Sequence, residues 1–464
     1  MSHRLPDPDP QPEVSRPPLA SATHEHHHHH SHGGDIPGTL TRFAKPAVIV
    51  VLAAAAVFVS VGVFLTWPSN ASHPIPMQYK SSDGGPLQVY EADVVAQTRT
   101  DCSMIDAGVP TADFPQIPTT GGPCIATVLA LKSGPDEGRY TVLSIPTNKA
   151  QAGTGPDSAN MSVGAPDDPQ PGQPRLAVDD SIKVSAMPDQ SAESSTASVR
   201  YAFYDFARGT PLIFWAIAFV LAVVVVATWR GLRAIIGLAI AFAVLGFFTL
   251  PSILDGNDVV IVAIVSAAAI LFAVLYLAHG VNLRTSAALV GTLLSLVVAG
   301  LLSNAAISTL SLTGLSASST TNLQMYQGTI SLQGLLLAGF VIGTLGVLND
   351  VTITQASATF ELAAMPNQTR LGAFRAAMRV GRDHIASTVY TLVFAYAGSA
   401  LPLLLLFSVA GQPVSSLLSS EEVAIELARA FVGGIALALS VPLTTAVAAA
   451  LVVPGGKATD VTPV

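Results

Sequence analysis

Long stretches free of charge dominate the chain, separated by short polar breaks. Pro46–Trp67, Gly209–Trp229, Ala234–Leu254, Val259–Leu283, Thr285–Asn349, Ile385–Ser420 and Ala430–Gly456 contain no Asp, Glu, Lys or Arg. A helical crossing of a bilayer core needs about 20 mostly apolar residues. Thr285–Asn349 has room for two, and its middle, Ser316–Gln327, is rich in Ser, Thr, Asn and Gln and reads as a loop between them. The pattern predicts eight spans, at 46–66, 211–229, 234–253, 259–279, 286–306, 332–352, 385–408 and 429–452.

The cationic residues orient these spans. With residues 1–45 inside, the inner segments hold Arg42, Lys45, Arg230, Arg233, Arg284, Arg370, Arg375, Arg379, Arg382 and Lys457. The short outer loops near 255, 316 and 415 hold no Lys or Arg, but do hold Asp255, Asp258, Glu421 and Glu422. This is the positive-inside pattern, so both tails are expected in the cytoplasm. Arg429 falls at the outer end of the last span. The first span follows 45 residues and precedes Pro68, which reads as a signal anchor, not a cleaved leader.

Between the first two spans the period shortens to two. Leu87–Arg99, Ile125–Lys132, Arg139–Pro146, Ser181–Ala186 and Val199–Phe206 alternate and are rich in Val, Thr, Tyr and Ile, which predicts five strands. Lys132–Arg139 is a turn joining two of them, and 148–175 is a Gly-, Pro- and Asp-rich excursion. A small OB-like barrel is the expected fold. The only cysteines, Cys102 and Cys124, flank one loop here, and in an oxidising compartment they are expected to be disulfide-bonded.

Composition agrees with this layout. The chain has 464 residues, half of them apolar and 11% charged, where soluble domains carry about 25% charged residues. The net charge of -8 sits in residues 1–208, with 13 Lys and Arg against 21 Asp and Glu; the remainder holds 9 against 9. Nucleic acid is therefore not an expected partner, and the lipid bilayer is. The fold class is an α-helical integral membrane bundle of about eight spans with a small β-rich extracytoplasmic domain. Its segments are a disordered His- and Pro-rich tail (1–45), an anchor (46–66), the β domain (68–208), a seven-span membrane domain (209–453) and a tail (454–464).

Two groups of residues carry candidate chemistry. His24, His26, His27, His28, His29, His30 and His32 offer imidazoles to a divalent metal, the one cofactor the chain suggests. A solvated or tag-like tract explains the same composition at less cost. The second group is ionisable and lies at span ends: His279, Asn349 with Asp350, and Asp383 with His384. Such residues are expensive at a bilayer and are functional candidates by default. All lie near the inner ends of their spans, so neighbouring helices would bring them into one vestibule. Asp350, Thr354, Ser357 and Glu361 form one polar stripe on the helix leaving span six. Gly339, Gly343 and Gly346 precede it and suggest close helix approach. Arg375, Arg379 and Arg382 share a face of an amphipathic lead-in to span seven, where Asp383 has an Arg partner within reach.

Gly343–Gln355 (GTLGVLNDVTITQ) and Arg379–Thr388 (RVGRDHIAST), the latter continuing to Ala395-Tyr396-Ala397-Gly398, resemble the signatures of the YibE/F-like membrane proteins. Tyr276–Gly280 and Phe206–Pro211 resemble the same family, and the likeness covers about residues 200–452. It implies a bacterial multipass protein of the plasma membrane. Family members often carry an acidic pair where this chain has Asn349-Asp350, which leaves Asp350 as the lone acid.

These readings lead to a permease-like protein moving an unknown small solute or ion, with Asp350 as the coupling carboxylate and His384, Asp383 and His279 as helpers. Metal efflux is one version, since the His tract shares the cytoplasmic side. The rival is a scaffold that transports nothing and whose outer domain binds cell-envelope proteins. No His-Glu-x-x-His, Gly-x-Ser-x-Gly or Gly-x-Gly-Asp pattern occurs, so an enzyme is not expected.

Overall fold

The computed structural model describes residues 44–69, 72–81, 84–150, 164–188, 199–316, 318–411 and 413–452. The His tract lies outside these residues.

The β domain is one sheet of five strands: β1 (Gln88–Thr100), β2 (Cys124–Leu131), β3 (Tyr140–Pro146), β4 (Ser181–Pro188) and β5 (Val199–Phe206). Their order is β3-β2-β1-β4-β5, with every neighbouring pair antiparallel. The long β1 serves both halves. Gln88–Asp93 pairs with β4 and Ala92–Thr100 with β2, and a bulge between Val94 and Ala96 bends the strand so that the sheet curls. Inside the curl pack Ala92, Val94, Leu129, Leu131, Leu143, Ile182 and Val184, the apolar half of each alternating strand.

The free edges β3 and β5 are bridged by Gly108, whose N–H donates to Val142 O at 2.8 Å and whose carbonyl accepts from Tyr201 N at 2.8 Å. Its φ is 84° and an added Cβ would lie 2.6 Å from Tyr201 O, so only glycine fits. The Tyr201 hydroxyl donates to Asp136 at 2.8 Å in the β2–β3 turn. Burial, then the Asp136 carboxylate, push this phenol well above its ordinary pKa. Cys102 and Cys124 are disulfide-bonded, with Cα atoms 5.1 Å apart.

The helices are α1 (Ala44–Leu65), α2 (Gly209–Val244), α3 (Leu250–Leu254), α4 (Val259–His279), α5 (Leu283–Thr309), α6 (Ser318–Tyr326), α7 (Leu332–Ala363), α8 (Arg370–Ser399), α9 (Leu401–Val409), α10 (Val414–Leu418) and α11 (Glu421–Leu451). Among the described residues six helical stretches are long and apolar enough to cross a membrane, or seven if α8 and α9 count as one span bent by 55°. Side-chain caps set the starts. Asp258 accepts from Val260 N and Ile261 N, Asn282 from Thr285 N, Ser331 from Gly334 N and Thr369 from Gly372 N. Helices α5, α7 and α11 form the centre, α4 and α8 flank them, and α1 and α2 lie outside against α4.

The structure revises several boundaries. Residues 230–233, expected as a loop, are helical, and the break comes earlier, at Thr228 (φ 51°, ψ -133°). A Cβ on Gly231 would lie 2.5 Å from Val223 O. Eight residues of unbroken helix would hold those groups about 12 Å apart, so the chain doubles back here. Ser318–Tyr326, expected as loop, is the short helix α6. The lead-in to span seven is not a separate helix: it continues through α8, which breaks instead at Ser399–Leu401, where Pro402 has no N–H to offer. In the first half of α8 Leu371 is 56% exposed, and Ala373, Ala376 and Ala377 are the buried positions. The glycines expected to bring helices close do not all do so, since Gly339 and Gly346 face open space. Close crossings fall at Gly291, Gly381 and Gly433.

Candidate functional site

Polar residues separate to the two ends of the bundle. At one end the chain leads toward the β domain. There Thr66 O accepts from Ser252 Oγ at 2.6 Å, and Met77 N donates to Tyr326 Oη at 3.0 Å. Asp255 accepts from Ser69 N and pairs with His73 Nε2 at 3.1 Å. The Ser69 hydrogen bonds, aided by the neighbouring His73, hold Asp255 below the ordinary carboxylate range. Glu421 accepts from Gly314 N at 2.7 Å and from Thr313 Oγ1 at 2.9 Å. The opposite end carries Arg230, Arg233, His279, Arg284 and Glu361. Arg284 pairs with Glu361 at 2.7 Å, and Arg370 Nε donates to Val452 O at 3.1 Å.

At this second end a cleft of about 1040 Å³ opens between the Thr228 turn and helices α4, α5 and α7. Arg230, Arg233, His279, Asn282, Arg284, Thr285 and Ser357 supply its polar lining; Val223, Ala227 and Ile353 are among its apolar walls. Asp350 lies on the exposed face of α7, within electrostatic reach of the His279 ring. The stripe is real: Asp350, Thr354 and Glu361 are exposed and Ser357 half-buried on that face. Asn349 is half-buried, its Oδ1 sealed and without a partner.

The α8 residues lie elsewhere. Gly381 sits against Gln355 of α7 and Val441 of α11, while Met378, Ile385 and Val389 pack with Leu348 and Val351. Leu348 and Gln355 are about 160° and 140° around α7 from Asp350, so α8 meets the face turned away from the cleft. His384 is half-buried with Nε2 sealed and unpartnered, and Asp383 is exposed. Among the described residues no hydrogen bond or ion pair joins Asp383 or His384 to Asp350 or His279, nor Asp383 to Arg379 or Arg382. Of the predicted residues, His279 lines the cleft, Asp350 and Glu361 lie on the α7 face that borders it, and Asp383 and His384 lie on another helix. No group of three or more metal-ligating His, Cys, Asp or Glu side chains occurs among the described residues.

Two polar features were not singled out in the sequence. The first is a buried seam: Gln355 Nε2 donates to Thr445 Oγ1 at 2.7 Å and Ala377 O at 2.9 Å, and Thr292 and Thr352 share a 2.6 Å hydrogen bond. The second is an ion pair at 3.0 Å between Glu426 and Arg429, whose guanidinium lies 5.5 Å from the Phe340 ring and 5.7 Å from that of Tyr396. Because α11 begins at Glu421, Arg429 is not at its end but about 12 Å along it. The i, i+3 spacing of Glu426 and Arg429 was the available signal.

Long apolar helices with polar groups confined to their ends and a few interior points mark a mostly helical protein with a small β domain and point to the membrane. The YibE/F-like protein family matches residues 215–454, just over half of the chain, and the chain belongs to that family. No curated protein and no solved structure matches significantly.

Proposed function

We propose that the protein is a non-enzymatic, permease-like membrane protein of the bacterial plasma membrane. Its inner-side cleft receives a small solute or ion. The observation that carries this reading is Asp350: in the 32 residues of α7 the only charges are Asp350 and Glu361, and Asp350 shares a face of α7 with Ile353 and Ser357, which line the cleft together with His279. A carboxylate and an imidazole bordering one cleft can exchange a proton or share a cation, a means of coupling in such proteins. The break at Thr228 supports eight crossings, since Gly209–Leu254 at 46 residues would extend about 69 Å as one helix, twice a bilayer core. The separation of Arg-bearing from acidic ends supports an N-in, C-in orientation. Parallel β3 and β5, brought together around Gly108, support an OB-like description of the outer domain.

The test is solute and metal accumulation in a deletion strain complemented with wild type or Asp350→Asn. Loss of at least ten-fold in flux at unchanged protein level is expected. Equal content in both strains would overturn transport and favour a scaffold acting through the outer domain, in which case deleting residues 75–200 abolishes function.

A further inference from the structure

Three guanidinium groups, of Arg230, Arg233 and Arg284, line the cleft beside the Thr228 turn, against two carboxylates on the bordering face of α7, Asp350 and Glu361. Arg284 is paired with Glu361, but Arg230 and Arg233 make no ion pair among the described residues; Arg233 instead lies 5.7 Å from the Trp229 ring. The start of α5 opens into the same cleft. Asn282 caps it, and a 27-residue helix concentrates partial positive charge at that end. Thr285, in the first turn, is 1% exposed, and its Oγ1 is buried without a partner although the residue lines the cleft. An unpartnered buried hydroxyl is unfavourable, and a ligand oxygen would satisfy it.

We propose that this cleft binds a phosphate-bearing anion, held by the guanidinium groups of Arg230, Arg233 and Arg284 and by the first turn of α5 with the Thr285 hydroxyl. Guanidinium forks match phosphate oxygens two at a time, and a helix N-terminus presents free N–H groups to the same anion. The volume of about 1040 Å³ exceeds what a bare phosphate fills, and Val223, Ala227 and Ile353 give the remainder an apolar wall. The bound phosphate therefore carries an apolar or organic remainder. Two sources share this chemistry: a soluble phosphorylated solute and the headgroup of an anionic phospholipid. The inference concerns binding alone and needs no transport, so it and the permease reading can fail separately.

The test uses the full chain purified in a neutral maltoside detergent, with thermal unfolding as the readout. One arm adds sodium phosphate against sodium chloride at equal ionic strength; the other adds phosphatidylglycerol against phosphatidylcholine. A ligand that binds only the folded state raises Tm. A rise of a few degrees in at least one arm is expected, reduced by half or more in Arg230→Gln/Arg233→Gln. A rise with inorganic phosphate identifies a soluble anion, and a rise with phosphatidylglycerol alone a lipid headgroup. No rise in either arm, or an undiminished rise in the variant, overturns the proposal. If the double variant does not fold, Thr285→Val carries the same comparison.

Discussion

Gly291 sets how closely α5 and α11 approach. An added Cβ would lie 2.4 Å from Thr444 Oγ1 and 3.0 Å from Thr444 Cα, so part of the obstacle is backbone that cannot rotate away. Gly291→Ala is expected to destabilise the bundle by about 1–3 kcal/mol, the usual cost of overpacking. Thermal unfolding in detergent checks this; an unchanged Tm would mean the crossing is looser than the geometry indicates. Gly346→Ala, which meets nothing within 4 Å, is the control. Only packing separates these two glycines, because both occur among small and apolar neighbours. Asp350 was different: a carboxylate inside an apolar helix is conspicuous from composition alone. What it faces is not: Asp350 shares its face of α7 with Ile353 and Ser357, which line the cleft, while His384 of α8 packs elsewhere.

At the scale of elements, the β domain followed its sequence closely. Alternation placed five strands within about two residues of their observed ends, and Val199–Phe206 matches outright. The disulfide closes a loop of 22 residues, which stabilises the domain by about 3 kcal/mol in the chain-entropy model. Beyond β3, Asp167 ties the described segment from residue 164 onward to the sheet: it bonds Arg99 of β1 and pairs with Lys149 at 3.0 Å. These hydrogen bonds, Arg99 first, depress the Asp167 pKa from 3.8 to about 2. A depressed carboxylate contributes its stability above the unfolded pKa and loses it as pH falls through the folded one, here between about pH 4 and 2. An acid titration of the full chain by circular dichroism should show a shallower loss in that window for Asp167→Asn. Superimposable curves would remove Asp167 from the account. Helix ends were less legible. Thr228, not the Arg230–Arg233 pair, turns the chain, because the reversal depends on where two helices can pack and not on where charge first appears.

Across the whole molecule, the grouping of loops at common ends makes a strong prediction. Leu315, between α5 and α6, and Met365, between α7 and α8, are both exposed and lie at opposite ends of the bundle. With intact cells and an impermeant maleimide, Leu315→Cys should label and Met365→Cys should label only after lysis. The reverse pattern would invert the proposed orientation, and labelling of both in intact cells would remove it.

From the chain alone came the apolar spans, the strand periodicity, the cysteine pair and the ionisable residues that an apolar helix cannot ignore. These are local properties, written in runs of residues that need no neighbour to be recognised. Which faces meet was decided by tertiary structure: Gln355 against Thr445, Arg429 between two aromatic rings, Asp350 turned to the α4 side and the α8 histidine away from it. A residue's direction around a long helix follows from packing partners tens of positions or more away in the chain, and several apolar faces of similar character leave that choice open until the bundle closes.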